Sequence, residues 1–381
     1  MISLGLSSAD LALYQRSLIT GYSLKVTVQI LDLNHRYITD VSSMLIDGQV
    51  NHSFSEAISY SGTAILLDPD NLVGFDTSSP SDNAIFADRM IKIVYSVYSD
   101  LLPRWVDCPI FCGPVTHVDR DDAILNIEFQ GKEALWNDPA VAWASKTYAK
   151  GTLRTAAIRD VMARYTGETR FDFPNWTDKI TRDYAIVGES VPWAFALDLQ
   201  GSRTTRQLFY DGRGVLRLRG APTVPAFTFT EDHITSVPKF GYDQPKNLAL
   251  VKGATPDGKP RIQAWHLAPT TNPASAVSLG RNGVRRHLIE VVEDDSVDTQ
   301  AKAEALAEET LQSIMITNVN FDFDSFPIPH LEPGDVFLLS TRDASVNLRA
   351  VEFSIPLKAG VAQSNGTTRK LAANKSRLRR K

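Results

Sequence analysis

The chain has 381 residues, of which 43% are hydrophobic and 22% are charged, and its formal net charge is −4. This composition is typical of a folded protein of two to four domains, and because no run of 18 or more apolar residues occurs, we expect no membrane span. Two cysteines provide no disulfide framework, and the N-terminal residues lack the basic flank and apolar stretch of a signal peptide.

Charge is unevenly distributed along the chain. Residues 358–381 carry eight Lys and Arg and no Asp or Glu, which leaves 32 basic and 44 acidic side chains in residues 1–357, a net charge of −12. An acidic body argues against a body that grips nucleic acid. The basic segment predicts a tail that docks on an acidic partner, while a disordered solubilising tail and a contact with nucleic acid remain alternatives. The candidate docking residues are Arg369, Lys370, Lys375, Arg377, Arg379, Arg380 and Lys381.

The first part of the chain is predicted to be an arm followed by strands. Residues 1–20 form a short helix or an arm, since Leu11, Tyr14 and Leu18 share one helical face. Several short strands then follow without intervening helices, which indicates a small β-barrel or sandwich over residues 21–136. The strands are predicted at residues 23–31, 64–67, 90–97, 106–118 and 124–129, and residues 119–122 form an acidic hairpin turn before the last of them.

Residues 137–225 are predicted to form a small α/β insert. A helix begins at Thr152 as its cap and stops at Gly167. One apolar stripe runs along it, formed by Ile158, Val161, Met162 and Tyr165. A second helix follows Trp193, and an Asp-Gly-Arg-Gly turn at residues 211–214 then joins two strands in a hairpin.

Residues 226–357 are predicted to form a second β domain that contains a long helix at residues 298–316. Ser296 and Asp298 are its start signal. Its apolar face consists of Ala303, Ala307, Leu311 and Ile314. Alternating residues at 319–324 predict a half-buried strand. A Pro-Gly-Asp turn at 333–335 then leads into a strand at 336–339, and the last strand is predicted at 346–355.

The segment that most resembles a chemical motif is residues 253–260, which has the Gly-x-x-x-x-Gly-Lys spacing of a phosphate-binding loop. Such a loop needs Ser or Thr next, for Mg²⁺, and then a helix. This chain has Pro260 at that position, and Ile262, Ala264 and Trp265 indicate a strand. We therefore interpret the segment as a reversing turn.

Other candidate sites are interpreted as structural. Cys108 and Cys112 are predicted to be buried small hydrophobic residues, since zinc would need two more ligands and His117 is the one near candidate. Asn320, Asp322 and Asp324 could bind Ca²⁺ from one strand face, but they are predicted to be a solvated face because no calcium-binding loop surrounds them. Neither a Gly-x-Ser-x-Gly motif nor a His-x-x-x-His pair occurs, so we expect no enzyme activity, no cofactor and no metal.

The order of these elements resembles bacteriophage tail hub proteins, the siphophage minor tail or tail-tip (baseplate) hub family. The resemblance is carried by residues 65–69, 91–94, 111–113 and 125–129 of the first β segment, and by the Leu-Glu-Pro-Gly-Asp turn and strand at 331–339. It implies an α+β, β-dominated fold, in which two small tail-tube-like β-barrel domains flank the α/β insert. The segment 358–381 would follow the second barrel as a basic tail.

The same resemblance implies a structural role in the virion. Three copies would form a ring that closes the tail tube, adapts its symmetry and forms part of the DNA exit channel. The expected partners are two further copies, the distal tail protein or tube end, the tape measure and other tail-tip proteins, with genomic DNA only in transit. The protein would be made in the host cytoplasm and reside in the tail tip. The alternative is a β-rich carbohydrate-binding or carbohydrate-active protein, with paired carboxylates beside aromatic residues.

Overall fold

The computed structural model describes most of the chain, with gaps at 55–56, 70, 72–83, 86–88, 138–144, 181–182, 189, 201–205, 243–245, 254, 256–259, 273, 294–296, 298, 315–317, 343–344 and 371–381. Contacts divide it into two compact units. Unit 1 contains Met1–Pro238 and Asp322–Thr367, and unit 2 is built mainly from Lys239–Phe321.

The described part of the chain contains four α-helices and many strands. The helices are α1 (Ser8–Thr20), α2 (Arg154–Thr166), α3 (Pro192–Gln200) and α4 (Gln300–Ile314). The strands are β1 (Ser23–Asp32), β2 (Tyr37–Asp40), β3 (Leu45–Ser53), β4 (Tyr60–Leu67), β5 (Arg89–Ser99), β6 (Leu102–Asp121), β7 (Ile124–Gln130), β8 (Lys146–Tyr148), β9 (Phe171–Asp172), β10 (Tyr184–Ile186), β11 (Arg206–Tyr210), β12 (Leu216–Gly220), β13 (Phe227–Thr230), β14 (Lys239–Tyr242), β15 (Leu248–Lys252), β16 (Gln263–Leu267), β17 (Ile289–Glu293), β18 (Asn318–Ser325), β19 (Val336–Ser340), β20 (Ser345–Pro356) and β21 (Gln363–Lys370).

Unit 1 is organised around one large sheet in which the early and late parts of the chain meet. Its strand order is β18-β21-β20-β3-β4-β7-β6-β5-β1-β2, and β19 pairs with β20 and, in parallel, with β13. The β20–β3 ladder aligns Ile355 with Val50 and Phe353 with His52. The buried residues of both β segments therefore belong to one continuous layer. The β-dominated fold class is confirmed, while the two separate barrels remain a prediction.

The insert has its own hydrophobic core in unit 1. Helices α2 and α3 pack on two small sheets, β11-β12-β9 and β10-β8. The predicted stripe of α2 is buried, and Gly167 ends this helix in a left-handed conformation with φ of 70°. The predicted cap is corrected: the cap position is Leu153, and the Thr152 hydroxyl instead donates to the Ala149 carbonyl.

Unit 2 contains a three-stranded sheet with one helix on one of its faces. Strand β15 lies between β16, which is antiparallel to it, and β17, which is parallel. Helix α4 covers the face that carries Ala249 and Val251. The predicted apolar face of α4 is confirmed, since Ala303, Ala307 and Leu311 are buried and Ile314 packs against them. Its predicted start signal, Ser296 and Asp298, lies outside the described residues, while Thr299 Oγ1 accepts from the Lys302 amide at 3.4 Å.

The prediction that the chain leaves the fold after residue 357 needs a correction. Residues Gln363–Lys370 form β21 within the large sheet. A strand can form without apolar side chains if its backbone groups find hydrogen-bond partners. In β21 the buried polar side chains are also hydrogen-bonded to neighbouring groups. Gln363 Oε1 accepts from the Ile328 amide at 2.7 Å, and the Asn365 amide group donates to Ser325 Oγ at 2.9 Å. The domain boundaries otherwise remain predictions.

Helix length and apolar character are also informative about membranes. None of the helices in the described part of the chain has the length and apolar character required to cross a bilayer.

Candidate functional site

The side chains of the seven predicted docking residues in the C-terminal segment all lie outside the described residues. Arg369 and Lys370 lie on β21, but their side chains are outside the described residues. Lys375, Arg377, Arg379, Arg380 and Lys381 lie in the undescribed segment 371–381. The docking role of all seven therefore remains a proposal.

The other candidates from the sequence have structural surroundings. Cys108 and Cys112 are both buried and free, as predicted. Within the described ranges no group of three or more His, Cys, Asp and Glu side chains is arranged to hold a metal ion. Most of the phosphate-loop-like segment lies outside the described residues, but Lys252 and Gln263 on either side of it are antiparallel partners, so the chain reverses between them.

The Pro-Gly-Asp turn is tightly packed within unit 1. Gly334 has φ of 80°, a left-handed conformation that favours glycine. A Cβ atom at this position would collide with the Gln207 amide group and approach the Phe54 ring to 2.8 Å. The Gly334 amide donates to the Ala350 carbonyl at 2.8 Å. The turn is therefore held against strand β20 and against the insert strand β11.

A buried group of charges surrounds this turn, which we call the turn cluster: the Met1 ammonium group, Arg217, Arg219, Glu332 and Asp335. Both carboxylates are buried, Glu332 with 0% and Asp335 with 1% exposure. Arg217 and Arg219 each contact Glu332 at 2.9 Å, and Arg219 also lies 3.1 Å from Asp335. The ammonium group lies 2.9 Å from Glu332 and 2.6 Å from Asp335.

Electrostatics favour the ionised form of Glu332 in the turn cluster. Burial alone would favour the neutral form of Glu332, but the ammonium group, Arg219 and Arg217 outweigh it and hold the pKa of this carboxyl below its usual range. Both guanidinium groups also lie over the Phe209 ring, at 5.9 Å and 4.9 Å. The cluster joins the insert hairpin β11–β12 to the turn before β19, so it fixes two chain segments that are far apart in sequence.

A second charged group lies where the insert meets the first β segment, and we call it the junction cluster: His35, Lys132, Glu168 and Arg170. The Lys132 ammonium group donates to Glu168 at 2.5 Å, and both side chains are nearly fully buried. Arg170 donates to His35 Nδ1 at 2.9 Å. Burial, together with the positive charges of Lys132 and Arg170, lowers the pKa of His35 to about 4, so its ring is a neutral acceptor at neutral pH.

Glu133 adjoins the junction cluster, and no basic side chain in the described part of the chain forms an ion pair with it. Its side chain is completely buried, the Tyr210 amide donates to Oε1 at 3.3 Å, and Oε2 has no hydrogen-bond partner in the described structure. Burial raises the pKa of Glu133 to about 7. This carboxyl is therefore partly protonated at neutral pH, and it makes the stability of unit 1 sensitive to pH.

Sequence reasoning identified the turn but not its charged surroundings. Arg217 and Arg219 alternate along an insert strand, and nothing in their spacing points to a carboxylate 113 or 115 positions away. One feature of the sequence did point to these charged surroundings. Glu332 and Asp335 flank a Pro-Gly turn in an otherwise apolar run, which is unusual for a solvent-exposed hairpin. The charged groups of the turn cluster bind one another. This cluster is therefore a joint between chain segments rather than a nucleophile beside a general base.

No protein-family model matches this sequence, and no curated protein matches it either. Solved structures are nevertheless similar in fold along almost the whole chain. A tail protein from Neisseria meningitidis aligns with a TM-score of 0.61 at 10% identity, covering 92% of this chain and 97% of that one. The 43 kDa tail protein of prophage MuSo2 from Shewanella oneidensis gives 0.60 at 11% identity, with 91% and 98% covered. A prophage tail protein from Listeria monocytogenes gives 0.53 at 10% identity, with 91% and 95% covered.

These similarities identify the fold. They extend over more than nine tenths of this chain and of each of the three tail proteins, so insert and β segments are aligned together. The chain has the fold of bacteriophage tail proteins, and the resemblance to tail and baseplate hub proteins is confirmed at that level.

Proposed function

We propose that this protein is a structural component of a phage tail, located at the tail tip or baseplate, where it serves as a hub. The observation that carries this proposal is the similarity in fold to tail proteins. The similarity covers more than nine tenths of this chain and of each of the two tail proteins with the higher TM-scores. The similar proteins are tail components, which favours a structural rather than an enzymatic role. The turn cluster and the junction cluster fit this role because they make unit 1 rigid at the joints between its segments.

The hub would be a homotrimeric ring that continues the tail tube. Pairing of β20 with β3 places the early and late β segments side by side in one sheet. If each segment supplies one tube-like barrel domain, three copies supply six, which matches a six-fold tube. The ring would adapt the symmetry of the tube at its end and leave an axial channel for genomic DNA. Its neighbours would be the distal tail protein or tube end, the tape measure and other tail-tip proteins.

The C-terminal segment would strengthen contacts within the tail. Its seven basic residues from Arg369 to Lys381 would lie along an acidic surface of a neighbouring subunit. Each exposed ion pair contributes only about 0–1 kcal/mol, so the docking would depend on several pairs acting together and would weaken with salt.

Particles from cells that carry the gene provide the test. Gold-labelled antibody should mark the distal end of the tail in electron micrographs, and native mass measurement of the protein released from tails should give three copies. A deletion strain should release heads without complete tails, and a plasmid copy should restore them. Normal tails in the deletion strain, or specific glycan binding by the purified protein without any particle association, would instead favour the carbohydrate-binding alternative.

A further inference from the structure

One face of the unit 2 sheet is covered by none of the helices and strands described for that unit. Burial alternates along β15. Ala249 and Val251 point to α4, whereas Leu248 and Leu250 point away from it. Register then places six apolar residues in two rows across the three strands on the side opposite to α4. We call this the open face, and it consists of Leu248, Leu250, Trp265, Leu267, Ile289 and Val291.

The open face is accessible and apolar. Trp265 is 62% exposed, Ile289 48% and Val291 45%. Each of the two rows is continuous, since Leu250 is the register partner of both Trp265 and Val291, and Leu248 is the partner of both Leu267 and Ile289. A contiguous apolar patch that includes an exposed tryptophan is typical of an interaction surface rather than of a solvated sheet.

A hydrogen-bonded basic turn lies at one end of the open face. Residues 281–287 form a tight turn in which Arg281 and Val284 exchange two backbone hydrogen bonds of 3.0 Å around Asn282 and Gly283. The turn leads directly into β17, and Asn247 at the start of β15 holds it by donating to the Arg286 carbonyl at 3.0 Å. The basic turn presents four exposed side chains: Arg281, Arg285, Arg286 and His287. Within the described ranges none of the four forms an ion pair.

Unit 1 carries a surface of opposite charge. On the outward side of β3, β4, β7 and β6, four exposed carboxylates lie on the same face as a small apolar strip. The acidic face, as we call it, contains Asp47, Asp119, Asp121 and Glu128. At its hairpin end Ile124 is the register partner of both Leu67 and Asp121, and Leu67 is 45% exposed. No basic group of the described chain lies within ion-pair distance of these four carboxylates.

We propose that the open face and basic turn of one copy dock on the acidic face of a second copy of this chain. The two surfaces match in kind, since each combines exposed apolar residues with unpaired charges, and the charges are of opposite sign. They are different surfaces of the same chain, so the contact is heterologous and repeats from copy to copy, which generates a ring when the rotation closes. The inference rests on the proposed function in one respect: it identifies the surfaces that would join copies within the hub.

The charges give this contact its specificity, and reversing them provides the test. One variant carries Arg285→Glu and Arg286→Glu, and a second carries Asp119→Lys and Asp121→Lys. In sedimentation velocity the wild type should associate with increasing concentration, and high salt should weaken the association. Each variant alone should associate about tenfold or more weakly, because like charges then face one another. An equimolar mixture of the two variants should associate again, since each reversed surface finds its complement.

Control measurements separate a lost interface from a lost fold. Lys25→Glu with Lys150→Glu changes two exposed lysines that belong to neither surface, and this variant should associate as the wild type does. All variants should retain the wild-type circular dichroism spectrum. The proposal is overturned if the wild type stays monomeric at every concentration, if the arginine variant associates normally, or if folded variants fail to associate when mixed. A monomeric wild type that still labels tails would remove this interface and leave the tail assignment intact.

Discussion

Arg219 on the insert strand β12 and Glu332 on the turn before β19 form a 2.9 Å ion pair in which the carboxylate is completely buried. The same guanidinium group donates to the Pro333 carbonyl at 3.0 Å and to Gln207 Oε1 at 2.8 Å. One side chain therefore satisfies acceptors from two segments that are more than 100 positions apart. A buried pair of this kind specifies an arrangement of segments, because an alternative packing would leave a buried charge alone.

Removing one partner of this pair should be costly. Arg219→Ala leaves Glu332 and Asp335 with fewer cations in a buried site, and we expect a loss of about 3–5 kcal/mol in the free energy of unfolding. Urea denaturation followed by tryptophan fluorescence measures it. Arg342→Ala is the matched control, since this arginine is 89% exposed and its contact with Glu231 is 3.5 Å long, and it should not change the unfolding curve. Equal effects of the two substitutions would show that the turn cluster does not stabilise the fold.

Leu311 and Glu308 test the orientation of helix α4. Leu311 is 6% exposed and packs under the sheet of unit 2, whereas Glu308 is exposed. Leu311→Asp buries an unpaired carboxylate, so we expect unit 2 to be destabilised by roughly 3 kcal/mol or more. Glu308→Ala should change stability by less than about 0.5 kcal/mol. Hydrogen exchange of the α4 amides checks both values, and similar protection in the two variants would contradict the assigned face.

Helix α4 was predictable because its signal is local. Ala303, Ala307 and Leu311 recur at the helical period, and the same period places them against the sheet in the structure. The strand pattern before the Pro-Gly-Asp turn was predictable for the same reason, since alternation reflects which face of a sheet is buried. Patterns of this kind predict elements and their buried faces, but they do not predict which elements become neighbours.

Long-range partners and polar strands were not predictable. Strand β21 has few apolar residues, and what holds Gln363 and Asn365 in the sheet is a set of hydrogen bonds to residues 328, 323 and 325. The ion pair of Lys132 with Glu168 likewise depends on how the insert folds back on the first β segment. Such contacts follow from tertiary structure, and a single sequence contains no period or spacing that encodes them.

His52 should make the protein sensitive to acid. Its ring is buried between Phe353 and Tyr60, with no hydrogen-bond partner in the described structure, and burial lowers its pKa to about 3. The unfolded chain takes up this proton near pH 6.5, so the stabilisation is complete above that pH and is lost as the pH falls towards 3. His52→Phe keeps the stacking but removes the titration. Between pH 7 and pH 5 the variant should lose roughly 2 kcal/mol less than the wild type in urea denaturation. Parallel losses would show that this ring does not titrate on unfolding.

Glu133 should act in the opposite direction. Burial raises its pKa to about 7, above the value of an unfolded glutamate, so the folded state holds the proton more tightly. Its contribution is present below about pH 4.5 and is lost as the pH rises through 7. Glu133→Gln should therefore raise the stability at pH 8 by roughly 2–3 kcal/mol relative to the wild type, with little change at pH 5. Glu128→Gln, an exposed carboxylate of β7, is the control and should match the wild type at both values of pH.

The C-terminal segment gives a prediction that separates folding from docking. Deleting residues 371–381 removes Lys375, Arg377, Arg379, Arg380 and Lys381 and leaves strand β21 intact, so the unfolding curve should not change. Deleting residues 359–381 also removes β21, whose Gln363 and Asn365 are buried and hydrogen-bonded, and this longer deletion should destabilise unit 1.

If the segment docks on an acidic neighbour, the shorter deletion should reduce incorporation of the protein into tails, and raised salt should reduce incorporation of the wild type in the same way. Complementation of a deletion strain, followed by quantitative mass spectrometry of purified tails, measures this. Normal incorporation of the shorter variant at both low and high salt would remove the docking role of the basic segment.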